Sequence, residues 1–297
     1  MTAERPKQLI KYVSADAGLA ILRSQSLLWS SPNLYSSPFE MNGKCAIPFS
    51  SQELLEATVK LSTTLIFNDD RPQGDTPLMT AINRWRDEER FNSPQEAESV
   101  LKDLLSRMVA QKEEQLHASL QKWQMFVESV RTCCFCASSD LPQAWEKFAD
   151  NHRGIAIGIA PDTDNGLEQV QPVIYTNERP QLTTLKEQIN QLLYNLAVNP
   201  NQRFPKNLLS KPSFLSEERE WRALVPRNGS FRKTDHPNRD ERMLTPGSIR
   251  AVYLGIDCDE STRQSVKKAC ADMKKQPKLI QLNIAKNHFK FDATPVV

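Results

Sequence analysis

A block of helical periodicity, set between two groups of strand-like segments, constrains this chain more than any other feature. From about Ser51 to Val130 apolar residues recur at helical spacing, with one interruption at Asn68–Thr76 where Asp, Pro and Gly gather. The best-marked helix starts at Ser93-Pro94-Gln95-Glu96: a cap, a proline at the first helical position and a capping-box glutamate. Val100, Leu101, Leu104, Leu105, Met108 and Val109 continue it as an apolar stripe, resumed by Leu116, Leu120, Trp123, Phe126, Val127 and Val130. Such a stripe faces a core or a partner, and the single His117 beside it reads as an ordinary surface or core residue, not a ligand.

On either side the period changes. Leu9–Val13 reads as a strand, Ser14 caps a helix to about Ser24 with Leu19, Ile21 and Leu22 inward, and Leu27–Ser30 is a second strand. Ser31-Pro32-Asn33 is a turn signal, and the loop Ser36-Ser37-Pro38-Phe39-Glu40 offers polar residues for ligand contact. After the block, Thr132–Ala137, Gly154–Ala160, Gln171–Thr176, Ile249–Ile256 and Leu279–Ile284 read as strands. Leu141–Asp150, Leu182–Val198 and Ser261–Lys275 read as helices. The expected class is α+β: one domain over residues 1–297, a mixed and mainly antiparallel sheet, and a helical insertion over about 51–130.

Composition narrows the partners. Lys and Arg total 38 against 36 Asp and Glu, so no global charge draws the chain to nucleic acid or an anionic membrane. No apolar run reaches the roughly eighteen residues of a spanning helix, and no basic-then-apolar N-terminus is present, so the expectation is a cytoplasmic protein with no membrane partner. Six cysteines, three of them in Cys133-Cys134-Phe135-Cys136, suit buried thiols on a strand. Cys45, Cys258 and Cys270 supply no second pair at zinc spacing, so no metal is expected.

Chemistry gathers at Ser213–Arg222. If Glu218-Arg219-Glu220-Trp221-Arg222 is a strand, Glu218 and Glu220 project from one face. Like charges in a partly buried site push their pKa values apart and give one group an acid or base role; an edge strand of solvated Glu and Arg is the plainer reading. Pro226–Ser248 follows with Arg227, Arg232, Lys233, His236, Arg239 and Arg242. It reads as a mobile basic loop, either solvated or suited to a phosphate-bearing substrate. At Asp150-Asn151-His152-Arg153 a helix meets a strand, and Gly154 is expected in the left-handed conformation that closes such a helix.

Several of these segments together resemble the bacterial family of unknown function DUF2971. They are Leu9-Ile-Lys-Tyr-Val-Ser14, Leu27-Leu-Trp-Ser-Ser-Pro32 with Pro38-Phe39-Glu40, Cys136-Ala-Ser-Ser-Asp140 with Trp145 and Phe148–Gly154, and Glu218–Arg222. The chain departs from that pattern at Ser36-Ser37, where the family shows Asn-Asp, and at Trp145-Glu-Lys-Phe148, where it shows Trp-x-His-Tyr.

A second likeness is to the plan of ADP-ribosyltransferases. It implies NAD as the consumed cofactor and a toxin or phage-defence effector acting on a protein, nucleic acid or small molecule. The likeness would give Lys11 or Tyr12 the nicotinamide-side ribose and Ser30 or Ser31 the nicotinamide. Glu220, with Glu218 beside it, would take the catalytic role. Lys11 stands where that superfamily favours His or Arg. Trp145 or Trp29 can stack on a flat ring, though either is an ordinary core residue too, and Arg222 joins the binding set. The alternatives are a nucleotide- or nucleic-acid-binding regulatory module without catalysis, and a metal-dependent hydrolase.

Overall fold

A computed structural model describes residues 4–35, 37–40, 47–162 and 165–296. Ser36 and Cys45 lie outside the described residues. The class is α+β, with a mixed, mostly antiparallel sheet. The chain divides into two units: Met1–Asn42, Val127–Arg179 and Leu208–Val297 form the first, Gly43–Phe126 and Pro180–Asn207 the second. Among the described residues no helix is long and apolar enough to cross a membrane.

In chain order the elements are β1 (Leu9–Val13), α1 (Ala15–Ser24), β2 (Ser26–Ser30), α2 (Ser51–Phe67), α3 (Pro77–Asp87), α4 (Pro94–Ser129), β3 (Val130–Cys136), α5 (Pro142–Phe148) and β4 (Ile155–Ile159). Next come β5 (Gln171–Pro172), β6 (Ile174–Thr176), α6 (Leu185–Tyr194), α7 (Phe204–Leu208), β7 (Ser210–Pro212) and β8 (Glu220–Pro226). The remainder is β9 (Arg232–Lys233), β10 (Arg239–Met243), β11 (Ile249–Leu254), α8 (Glu260–Ala271), β12 (Lys278–Ile284) and β13 (Phe291–Pro295).

The first unit is built on a sheet of order β13-β12-β11-β4-β1-β3-β2-β10-β9, with β8 pairing on β3 and β5 on β8. Among the described residues its pairings are antiparallel except that of β11 with β12, which α8 connects. Helices α1 and α8 cover one face, where Leu9, Leu22, Trp29, Phe135, Ile157 and Val252 are buried. Helix α5 covers part of the other, where Ile10, Tyr12, Trp145, Ala156 and Leu282 form a separate core. Strand alternation produces this division, since successive side chains leave opposite faces.

One irregularity positions the site. Strand β1 pairs along its length with β4, and β3 pairs from Val130 to Cys136 with β8. Between them β1 and β3 share only the bridge of Ile10 to Cys136, so the sheet opens where Lys11 and Cys134 lie.

Two sequence expectations fail here for physical reasons. Gln171–Thr176 is not one strand. Pro172 has no N–H to extend the ladder with β8, so the chain changes partner and Ile174–Thr176 pairs parallel with β7. Nor is Pro226–Ser248 an unstructured loop: β9 and β10 form a hairpin whose second strand pairs with β2 over Arg239–Met243. Its own apolar content is too small to hold it, but Asp240, fully buried, receives Arg131 Nε at 2.5 Å and Arg227 Nη2 at 2.9 Å.

The second unit is helical. Leu54, Met79, Ile82, Leu101, Leu105 and Leu193 form its core. Ser50 with Glu53 and Thr184 with Glu187 make capping boxes, and Thr76 caps α3 ahead of Pro77. At α4 the Ser93 hydroxyl accepts from Glu96 N, whereas the Glu96 carboxylate reaches back to Asn92 N. Within its stripe Leu101, Leu105, Val109 and Trp123 are buried, while Val100 and Leu104 are exposed. His117 is also exposed, on the solvent side near Glu113.

Candidate functional site

Strand β8 places Glu220 and Arg222 on one face, opposite Cys136 and Cys134 of β3. Glu218 joins them by another route than strand alternation. It ends a 3-10 segment, Ser213–Glu218, and Arg219 at φ 44° turns the chain back, its carbonyl accepting from Ala137 N at 3.0 Å. The two carboxylates therefore meet across a left-handed turn, which corrects the expected Glu-x-Glu strand.

Lys211 of β7 sits between them, with Nζ 2.5 Å from Glu218 Oε2 and 2.7 Å from Glu220 Oε2. Arg222 closes the group. Its Nε donates to Glu220 Oε1 at 2.6 Å, Nη1 to the Leu208 carbonyl at 2.7 Å, and Nη2 to Glu40. The guanidinium lies 4.7 Å from the ring centre of Tyr35, and Tyr175 OH accepts from Glu220 N. Lys147 of α5 donates to Glu218 Oε1 at 2.6 Å.

These contacts overturn the expected like-charge repulsion. Burial drives the Glu220 carboxyl upward, but Arg222 and Lys211 outweigh it and hold it down to about 2. Lys211 is pulled down by burial and raised on balance by Glu220 and Glu218. Glu220 is thus a fixed anion, not a proton donor. Burial raises the Cys134 thiol and pushes Cys136 to about 12, so neither is a nucleophile near neutral pH.

Above this group lies a pocket of about 220 Å³, lined by Lys11, Tyr12, Tyr35, Glu40, Lys211, Glu218, Glu220 and Arg222 with Ile10, Phe135 and Phe148. Lys11 Nζ donates to the Cys134 carbonyl at 3.0 Å, and among the described residues it forms no ion pair. Glu40, Glu218 and Glu220 face the paired cations Lys211, Arg222 and Lys147, which leaves Lys11 as the extra positive charge. Phe39, next to Glu40 in the chain, forms an exposed edge-to-face pair with Phe214, ring centres 5.8 Å apart.

Of the residues singled out in the sequence, Lys11, Tyr12, Glu218, Glu220 and Arg222 come together here, and Ser30, Ser31 and Trp145 do not line the pocket. Ser30 pairs within the sheet with Arg239 and Thr132. Ser31 is buried and caps the turn at Asn33. Trp145 is fully buried, its Nε1 donating to the Ser139 carbonyl and its ring edge-on to Tyr12; Trp29 is buried on the opposite face. None of the basic residues of 226–248 lines it either.

At the turn before β4 the left-handed residues are Asp150, Asn151 and His152, not Gly154. Gly154 is required by close approach, since a Cβ there would meet the Val13 carbonyl oxygen at 2.2 Å. Lys211, Tyr35 and Lys147 escaped sequence reasoning because nothing in their local sequence marks them. Among the described residues no group of three or more His, Cys, Asp or Glu side chains is arranged to hold a metal ion. Comparison of the chain with family profiles, curated proteins and solved structures finds no significant match.

Proposed function

We propose that the first unit binds a nucleotide of the NAD type in this pocket and breaks its nicotinamide–ribose bond. The observation that carries the reading is convergence: Lys11 and Tyr12 of β1, far from Glu218, Glu220 and Arg222 in sequence, line the same pocket. Cleavage sends the bond's electrons to the nicotinamide nitrogen and leaves an oxocarbenium-like sugar, which a fixed carboxylate stabilises without moving a proton. Glu220 has that character. An acceptor then bonds to the anomeric carbon and gives up its proton, for which Glu218 is the adjacent carboxylate.

Lys11 would meet the ligand's negative charge. At about 220 Å³ the pocket is smaller than the roughly 300–1,000 Å³ usual for ligand sites, so it suits one ring with its sugar. The remainder of a dinucleotide would cross the Phe39–Phe214 edge. The acceptor class stays open among protein, nucleic acid and small molecule, in keeping with a toxin or defence effector of the cytoplasm.

A second reading, nucleotide binding without turnover, is favoured by one observation. Both oxygens of Glu220 already accept from Lys211 and Arg222, which neutralise its field. Purified protein incubated with NAD distinguishes the two. The transferase reading expects nicotinamide release that falls at least about a hundredfold in Glu220→Gln, the usual loss of one electrostatic group. An NAD-induced thermal shift without release supports the binding module, and neither signal removes NAD from consideration.

A further inference from the structure

We propose that the same sheet carries a second ligand site, for a phosphate-bearing molecule, where β11 and β12 begin. A pocket of about 520 Å³ there is lined by Gln8, Gly247, Arg250, Tyr253, Lys275 and Lys278 among others, and it shares no residue with the candidate active site. Among the described residues no carboxylate lines it. Among the described residues Arg250, Lys275 and Lys278 form no ion pair. Three cations gathered without a counter-charge repel one another, and a polyanion relieves that cost.

The fold places each of them. A register shift between Ile249 and Ala251 leaves Arg250 out of the ladder with β4, as a bulge does when it re-aims a side chain. Lys278 is opposite Ala251, the residue after Arg250, in the parallel pair of β11 and β12. Gly247 has φ +88°, and a Cβ there would meet Lys275 Cδ at 2.5 Å, so glycine is what lets the lysine stem cross the turn.

An independent observation adds an unpaired donor. The Gln8 side chain lies across Gly158, and its Nε2 is closed off from solvent, with no hydrogen-bond partner among the described residues. An unmet buried donor is costly, and because Gln8 lines the pocket an oxyanion held there is a partner its amide would take. A guanidinium fork beside two ammonium groups suits phosphate oxygens, and Tyr253 with Ile280 gives apolar surface for an organic portion.

The test is titration of the whole chain with pyrophosphate, followed by calorimetry, with a short single-stranded oligonucleotide as a second arm. The proposal expects saturable pyrophosphate binding that weakens about fivefold for each of Arg250→Ala, Lys275→Ala and Lys278→Ala, the worth of one charge pair near 4 Å in water. Gln8→Ala weakens it as well, and Lys186→Ala, an exposed residue of α6 that lines neither pocket, leaves it unchanged. All three cations are exposed, so unaltered melting curves should accompany these losses. If the oligonucleotide binds more tightly, with the same sensitivity and a steep salt dependence, the phosphates are those of a nucleic-acid backbone; if pyrophosphate alone binds, the ligand is a free phosphate compound. Absence of binding, full binding by the triple variant, or an equal loss in Lys186→Ala overturns the proposal.

Discussion

Glu220 shows how a single side chain can be legible in identity and misread in behaviour. A carboxylate two residues from another suggests a raised pKa, yet Arg222 and Lys211 hold this one near 2 against an ordinary 4.5. Its folded-state value is depressed, so the stability it contributes is fully present above pH 4.5 and is lost as pH falls through about 2. Urea denaturation of wild type and Glu220→Gln should show their difference shrinking by about 3 kcal/mol over that range. A difference that stays constant with pH would mean the carboxylate is not held by these cations.

At the scale of elements, the joint between the 3-10 segment and β8 decides whether Glu218 reaches the site. Arg219 adopts a left-handed conformation that costs an ordinary residue about 1–2 kcal/mol and a β-branched one more. Arg219→Val should lower stability by at least about that amount and loosen the contact of Glu218 with Lys211, whereas Arg219→Gly should be tolerated. Equal melting temperatures for the two variants would show that the turn does not impose the geometry. The β9–β10 hairpin teaches a related lesson. A basic, apolar-poor segment becomes sheet because β2 offers it an edge and Arg131 offers Asp240 a buried partner.

At the scale of the whole molecule, each unit has its own core. Leu101 is fully buried in the helical unit and Ile157 in the sheet. Leu101→Ala should therefore cost about 2–5 kcal/mol in its own unit. Hydrogen exchange is the suitable readout: amides of α2 and α4 should lose protection while those of β4 keep theirs. Equal loss in β4 would show that the two cores unfold as one.

The sequence by itself determined most elements and the class. Apolar period, capping residues and prolines act within a few residues of chain, which is why β1 and α1 fall where they were expected and Thr132–Ala137 and Ile249–Ile256 are strands to within two residues at either end. It also marked five residues that share a pocket. Only the tertiary structure decided that Lys211 stands between the two glutamates, that Glu40 and Tyr35 flank Arg222, and that Ser30, Ser31 and Trp145 belong to the framework. The physical reason is range. Helix and strand formation are governed by neighbours along the chain, whereas the charge state of a buried group is governed by whichever ions the fold brings within a few ångströms of it.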